Sequence, residues 1–258
     1  MNVATRGLLL GGALIAGTWL IFQTATGYWQ QAAATEPITS AAMPSDAFAA
    51  GAALFQRDCA HCHGVAGDGS GELAGTVPDF FPRSFREESM RFVSTENRAA
   101  CREDLLRTIR RGIPEAGMPP SLTTHAAEQE QIADFLIELH RIAREKVLDV
   151  GEQIQVPERL SPTSNSEEGK QLFLANCSAC HGADGKAGAV PEFPDELGRL
   201  AKARDLTRGE FFGGASDADL FWRIRCGLPG TVMPAFPSTS LSDEQVWALI
   251  DHLRTLED

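Results

Sequence analysis

The sequence lacks an excess of basic residues, which excludes one class of partner at the outset. Its 258 residues include 23 Lys and Arg against 35 Asp and Glu, a formal net charge of −12 at pH 7. A chain that binds nucleic acid needs a basic patch or stripe to meet the phosphates, and no such stripe is present. The acidic balance instead favours solubility and partners with a basic or mixed docking face.

Cysteine is scarce, and its distribution is uneven. Of six cysteines, four fall in two copies of the pattern Cys-x-x-Cys-His, at residues 59–63 and 177–181. The pattern is typical of covalent haem attachment, because two thiols must reach the vinyl groups on one porphyrin edge while the next imidazole turns under the iron. We therefore predict two covalently bound c-type haems. The predicted attachment residues are Cys59, Cys62, Cys177 and Cys180.

A structural zinc site built from the two Cys-x-x-Cys pairs is the alternative. It would leave unexplained both motif histidines and a Met-Pro pair that follows later in each half of the chain. The predicted iron ligands are His63 and His181 on one side of each haem, and Met118 and Met233 on the other. A thioether is a soft, neutral ligand, and a His/Met pair raises the potential relative to two nitrogen ligands.

The same helical pattern surrounds both motifs. Helices are predicted at residues 46–55, 102–111 and 128–144, and again at 166–173, 217–225 and 242–256. In the first helix of each set a Gly and a Phe lie four residues apart on one face: Gly51 with Phe55, and Gly169 with Phe173. We predict that this face receives the closing helix of its own set; an ordinary buried face is the alternative.

Two arginines follow the motifs in similar settings, Arg83 and Arg204. Either one has the charge to neutralise a haem propionate, and plain surface solvation is the alternative. The remaining histidines give weaker signals. His125, His140 and His252 are predicted to be surface or edge residues, and His61 to be a spacer within its motif.

The N-terminus predicts a membrane-inserting segment. After Arg6 the chain is uncharged and mostly apolar to about residue 29, which is long enough to span a bilayer. The basic residue before it keeps the N-terminus in the cytoplasm. Residues 1–29 are therefore predicted to be a retained anchor, with a signal peptide cleaved near residues 32–34 as the alternative. Residues 30–45 are predicted to be a tether.

The repetition predicts two domains, residues 46–148 and 166–258, joined by a linker at residues 149–165. The linker has little periodicity and is rich in turn-forming residues. A connection of this length either lets the domains move or wraps across their interface.

A Cys-x-x-Cys-His motif near the start of a helical unit, a later Met-Pro pair and a closing amphipathic helix resemble class I cytochrome c. Two such units in tandem resemble the dihaem cytochromes c over residues 45–258. The resemblance implies an all-α fold of two tandem class I cytochrome c domains after an N-terminal transmembrane helix or signal anchor. It also implies iron ligation by the four residues named above, and one-electron carriage without bond chemistry.

Two cysteines remain outside the motifs, Cys101 and Cys226, at opposite ends of equivalent predicted helices. If the two units pack about a pseudo-twofold axis with these helices antiparallel, the sulfurs would meet in an inter-domain disulfide. Two separate buried thiols are the alternative.

These observations predict an electron-transfer protein on the periplasmic side of a bacterial inner membrane. The expected partners are redox proteins: a quinol-oxidising complex or dehydrogenase as donor, and an oxidase or reductase as acceptor. The alternative is a dihaem enzyme of the peroxidase or thiosulfate dehydrogenase type, which needs an open position on one iron. The two Met-Pro pairs argue against it, and no second set of acid, base and substrate-binding residues is evident. The sequence leaves open whether the chain is a free carrier or a subunit of a complex.

Overall fold

The computed structural model describes residues 46–76, 80–122, 125–144, 150–159 and 166–257. The first half, the described residues between 46 and 144, contains helices α1 Asp46–Asp58, α2 Ala60–His63, α3 Arg102–Arg111 and α4 Ala126–Ala143, with a 3-10 turn at Pro114–Ala116. The second half, residues 166–257, contains α5 Ser166–Asn176, α6 Ser178–His181, strands β1 Phe193–Pro194 and β2 Leu200–Ala201, α7 Asp217–Cys226 and α8 Asp243–Leu256. The fold is mostly helical, as predicted. The short antiparallel hairpin of β1 and β2 is the exception, because the sequence analysis predicted no strands.

The six predicted helices are present, with small shifts at their ends. The start of α8 shows why an end falls where it does. The backbone N–H of Gln245 donates to the hydroxyl of Ser242 at 3.3 Å, and the Ser242 N–H donates to the side-chain oxygen of Gln245 at 2.9 Å. This reciprocal pair satisfies two backbone donors that the first helical turn leaves free.

Helix α1 crosses α4 at Gly51. A Cβ at this position would overlap the backbone oxygen of Gln131 on α4, so only glycine permits the close approach. The ring of Phe55, which is fully buried, lies beside this contact with its centroid 5.2 Å from that of Phe135. The predicted docking of the closing helix on this face is confirmed.

The second half repeats the crossing with α5 and α8. A Cβ at Gly169 would overlap the backbone oxygen of Ala248. The buried ring of Phe173 lies 5.3 Å from the imidazole of His252, centroid to centroid. Each motif is therefore fixed to its half by a helix that is held against the closing helix.

Residues 150–159, between the halves, pack against both of them. Ile154 contacts the hydrophobic core of each half. Its backbone N–H donates to the carbonyl of Ser94 at 2.8 Å, and its own carbonyl accepts from the indole N–H of Trp222 at 2.8 Å. Of the two possibilities for the linker, its described part, residues 150–159, shows the one in which it wraps across the interface.

The predicted anchor, residues 1–29, and the predicted tether, residues 30–45, lie outside the described residues. Among the residues described, no helix combines the length and the apolar character needed to cross a membrane. The predicted domain ends at residues 148 and 165 also fall outside the description, so these boundaries stay a prediction.

Candidate haem-binding sites

Each Cys-x-x-Cys-His motif forms a single helical turn directly after a longer helix. In the first motif the N–H groups of Cys62 and His63 donate to the carbonyl of Cys59 at 3.2 and 2.9 Å. In the second motif the N–H groups of Cys180 and His181 donate to the carbonyl of Cys177 at 3.1 and 2.9 Å. The predicted attachment thiols and the imidazole of each motif are thus brought together by the same local geometry.

The two imidazoles have equivalent backbone partners. The Nδ1 atom of His63 lies 3.0 Å from the carbonyl oxygen of Arg83, and the Nδ1 atom of His181 lies 3.0 Å from that of Arg204. Because a carbonyl only accepts, Nδ1 carries the proton in both rings, which leaves the Nε2 lone pair for a metal. Burial lowers the pKa of both histidines, which favours the neutral form that ligates iron.

Arg83 and Arg204 therefore contribute to the sites through their backbone, a role that the sequence analysis missed. Their side chains differ. The Arg83 guanidinium pairs with the buried carboxylate of Glu88 at 3.0 Å, and burial lowers the pKa of Arg83 to about 10. The Arg204 guanidinium stacks on the ring of Phe212 at 4.2 Å and donates to the carbonyl of Glu210 at 3.0 Å. The proposed contact of either side chain with a haem propionate stays a prediction.

The methionine loops are tied back to the ends of α3 and α7. In the first half Ile113 and Met118 exchange backbone hydrogen bonds of 2.8 and 3.1 Å. A Cβ at Gly112, which ends α3 with φ +68°, would overlap the backbone of Met118 and the following proline. In the second half the N–H of Leu228 donates to the carbonyl of Met233 at 3.2 Å. A Cβ at Gly227 would likewise overlap the backbone oxygens of Met233 and Pro234. Gly112 and Gly227 thus let the backbone of each methionine loop approach the helix end, which fixes the backbone of the residue predicted to supply the sulfur ligand.

The motif thiols lie in surroundings that suit thioether attachment. Burial raises the pKa of Cys59 to about 12 and that of Cys177 to about 11. A neutral thioether at these positions carries no charge that burial would penalise. Within the described ranges, no group of three or more His, Cys, Asp and Glu side chains is arranged to hold a metal ion. The donor sets fit two covalently attached haems.

The prediction for two of the other histidines is wrong. His140 and His252 are both buried rather than at the surface or an edge. The Nδ1 atom of His140 finds a buried partner in the carbonyl of Phe85, 2.9 Å away, which satisfies the polar ring inside the fold. His125 is exposed as predicted. His61, predicted to be a spacer, is exposed too, and its Nδ1 lies 2.6 Å from a carboxylate oxygen of Glu72.

Cys101 and Cys226 are buried free thiols. The Cys101 sulfur lies 3.8 Å from the hydroxyl oxygen of Ser94, and the Cys226 thiol donates to the carbonyl of Thr95 at 3.5 Å. Both thiols therefore contact the same short segment, from different helices. The structure shows the alternative of two separate thiols and not the inter-domain disulfide.

Comparison with known proteins agrees with this geometry. A Cbb3-type cytochrome c oxidase subunit CcoP of Rhodobacter capsulatus is 27% identical over 213 residues, 80% of this chain and 61% of that protein. Subunit FixPc of Rhizobium leguminosarum bv. viciae is 28% identical over 170 residues, 65% of this chain and 51% of that protein. The chain thus spans less than two thirds of the length of these curated relatives.

A solved structure is similar as well. A chain of the Kuenenia stuttgartiensis reducing HAO-like protein complex Kustc0457/Kustc0458 superimposes with a TM-score of 0.72 and is 28% identical, covering 81% of this chain and 96% of that one. The family described as cytochrome c oxidase, cbb3-type, subunit III, matches residues 46–136 and 164–253. Each matched range holds one Cys-x-x-Cys-His motif with its methionine loop, and together they make up more than half of the sequence. The chain therefore belongs to the family of cbb3-type cytochrome c oxidase subunit III and is a dihaem cytochrome c.

Proposed function

We propose that this dihaem cytochrome c carries single electrons through its two halves, as an intermediate between a donor and an acceptor complex. The observation that carries the proposal is the repeated imidazole geometry. In each half a half-buried histidine with a lowered pKa donates from Nδ1 to a backbone carbonyl at 3.0 Å. Such a hydrogen bond fixes the ring and strengthens it as a ligand, and its repetition supports two sites of the same kind.

The residues that would hold the haems follow from the two motifs and their methionine loops. Thioether bonds would come from Cys59 and Cys62 in the first half and from Cys177 and Cys180 in the second. Axial ligands would be His63 with Met118 and His181 with Met233. Bound there, each haem supplies a one-electron iron couple. The chain itself orients the imidazoles and holds both methionine loops against helix ends.

Two methionine loops of the same construction favour a carrier over an enzyme. An enzyme of the peroxidase type needs an iron position that a substrate can reach. The backbone hydrogen bonds that tie Met118 and Met233 to the ends of α3 and α7 favour occupation of both distal positions. We therefore propose electron transfer without bond chemistry at either haem.

The setting that we propose is the periplasmic face of a bacterial inner membrane, with residues 1–29 as the anchor. The named relatives are subunits of a cbb3-type oxidase, which supports a role as the electron-delivering subunit of a terminal oxidase or a similar membrane complex. The donor would be a quinol-oxidising complex or a dehydrogenase. Retention of the full-length chain in the membrane after alkaline carbonate extraction is the expected result; release as a chain that has lost its first residues would contradict the anchor.

A spectroelectrochemical titration of the purified, haem-loaded full chain tests the electron-carrier function. Mass spectrometry first counts the covalent haems. We expect two, with two oxidation steps that each show the weak far-red band of methionine sulfur on ferric haem, and no binding of carbon monoxide or cyanide. A step without the band, at a haem that binds these ligands, would contradict the carrier and favour a dihaem enzyme.

A further inference from the structure

An ion-pair cluster that draws on both halves surrounds Arg83. We call it the hairpin cluster, because its second-half members lie in the turn that joins β1 to β2. Its first-half members are Arg83, Glu88, Arg91 and Arg144, and its second-half members are Asp195, Glu196 and Arg199. The cluster therefore connects the two halves beside the segment that carries the carbonyl acceptor of His63.

The centre of the hairpin cluster is the carboxylate of Glu88, whose side chain is 1% exposed. It lies 3.0 Å from the guanidinium of Arg83 and also pairs with Arg199 of the second half. One of its oxygens accepts from the N–H of Ser84 at 2.9 Å. A buried carboxylate of this kind depends on all its partners, because removing one cation leaves charge that burial penalises.

Glu196 holds the same segment from the other side. Its carboxylate accepts from the N–H of Ser89 at 2.6 Å and from the Ser89 hydroxyl at 2.8 Å. It also lies 3.5 Å from the guanidinium of Arg83, which donates to the Ser89 carbonyl at 2.9 Å. Residues 83–89 are thus fixed at both ends by side chains of the second half.

The equivalent residue of the second half has a different environment. The guanidinium of Arg204 contacts Glu210 and Phe212, both from its own half. The Glu210 side chain is 49% exposed, and exposed ion pairs contribute little to stability. The carbonyls that accept from the two imidazoles are therefore held by unequal sets of side-chain contacts, although the two hydrogen bonds have the same length.

We propose that Glu196 and Arg199 are positioning residues for the iron ligand of the opposite half. By fixing residues 83–89 they hold the carbonyl of Arg83 against the Nδ1 proton of His63, and so tune the first haem from the second half. The inference rests on the proposed ligation of haem iron by His63. A looser Nδ1–H···O bond makes the imidazole a weaker donor to ferric iron, so the reduction potential of the first haem rises.

Two variants that remove charges of opposite sign distinguish a positioning role from a direct effect of the charge on the potential of the first haem. Glu196→Gln removes an anion and Arg199→Gln removes a cation. Through charge alone, the first would raise the potential of the first haem and the second would lower it. A positioning role predicts that the reduction potential of the first haem rises in both variants, and that the potential of the second haem changes less. Ser89→Ala removes a hydroxyl donor without any change of charge, and we expect a smaller rise.

The matched control is Glu210→Gln, which removes the exposed carboxylate beside Arg204; we expect a smaller shift at either haem than Glu196→Gln produces at the first. The oxidation step that belongs to the first haem is the one that shifts in Met118→Ala, because this variant changes the predicted ligand of that haem only. A second measurement is the exchange rate of the His63 Nδ1 proton in the reduced protein by NMR, which we expect to increase in Glu196→Gln, Arg199→Gln and Ser89→Ala.

Opposite shifts for the two charge variants, or unchanged potentials and exchange rates, would overturn this inference while leaving the carrier intact. A wild-type chain without two covalent haems would instead overturn the proposed function. If Arg199→Gln fails to load haem, Glu196→Gln and Ser89→Ala still test the positioning role. Because Ser89→Ala changes no charge, a rise in the potential of the first haem together with faster exchange of the His63 proton in this variant has no electrostatic explanation.

Discussion

The thiol of Cys226, in the second half of the chain, donates a hydrogen bond to the backbone carbonyl of Thr95 in the first half, with the sulfur 3.5 Å from the oxygen. Cys226 ends α7, yet its side chain is 1% exposed and belongs to the hydrophobic core of the first half. The end of α7 is therefore a structural part of the opposite half, and the thiol stabilises the interface by packing and hydrogen bonding rather than by a covalent bond.

We predict that Cys101 and Cys226 stay unlabelled by iodoacetamide in the folded, haem-loaded protein at pH 8. Both are buried, and burial raises the pKa of Cys101 to about 11 and that of Cys226 to about 12, so the reactive thiolate is scarce. In denaturant, mass spectrometry should find both cysteines alkylated, with or without prior reduction. Labelling that requires a reductant would instead reveal a disulfide.

Gly112→Ala is expected to destabilise the protein and to displace the first methionine loop. The backbone of Gly112, with φ +68° and ψ −165°, lies in a region that is nearly restricted to glycine and costs about 1–3 kcal/mol for alanine. Overlap of the new Cβ with the backbone of Met118 adds about 1–3 kcal/mol. Gly75→Ala is the matched control, because Gly75 has a φ of +70° and open space around its Cβ position. Denaturant unfolding should show a larger loss for Gly112→Ala.

The far-red band of the first haem supplies a second comparison for these two variants. It should weaken in Gly112→Ala and remain in Gly75→Ala, since only Gly112 contacts the Met118 backbone. Equal losses of stability with an unchanged band in both variants would show that the close approach at Gly112 does not set the position of the methionine.

Stability should fall on mild acidification because of His140. Burial lowers the pKa of this histidine below its ordinary 6.5, so the unfolded chain takes up a proton that the folded chain excludes. The contribution of neutral His140 to the free energy of unfolding is complete above pH 6.5. It is lost as the pH falls toward the lowered pKa of the folded state, with a slope of at most about 1.4 kcal/mol per pH unit.

His140→Gln isolates this effect, because glutamine keeps an N–H donor for the carbonyl of Phe85 but does not titrate. The free energy of unfolding, measured by denaturant at pH 7.5 and pH 5.5, should fall less in the variant than in the wild type. His252, whose pKa burial also lowers, is present in both proteins and cancels in the comparison. The same fall in both would mean that His140 is protonated in the folded state.

The features that could be predicted from the sequence are those that need particular residue types at a fixed spacing. Covalent haem attachment requires two thiols and an imidazole on one turn, and a second copy of the motif strengthened the prediction. The crossing at Gly51 followed in the same way, because only glycine lets the backbone of α4 come so close. In each case the chemistry or the steric limit restricts which residue the position accepts.

The missed features depend on contacts that have no local pattern. The acceptor of the His63 proton is a carbonyl, which every residue has, so its position at Arg83 was not readable from residue type. His140 was predicted at the surface or an edge, whereas its ring is hydrogen-bonded to the carbonyl of Phe85, 55 positions away in the chain. The hairpin cluster joins residues more than one hundred positions apart, such as Glu88 and Arg199.

The wrapped segment at residues 150–159 has a consequence for transfer between the two redox centres. Ile154 packs against both hydrophobic cores and is hydrogen-bonded to Ser94 on one side and to Trp222 on the other. A segment that is hydrogen-bonded to both halves and packs against both cores restricts their movement relative to each other. We therefore expect an electron to pass between the two proposed haems by tunnelling across a nearly constant gap, at a rate that does not depend on solvent viscosity.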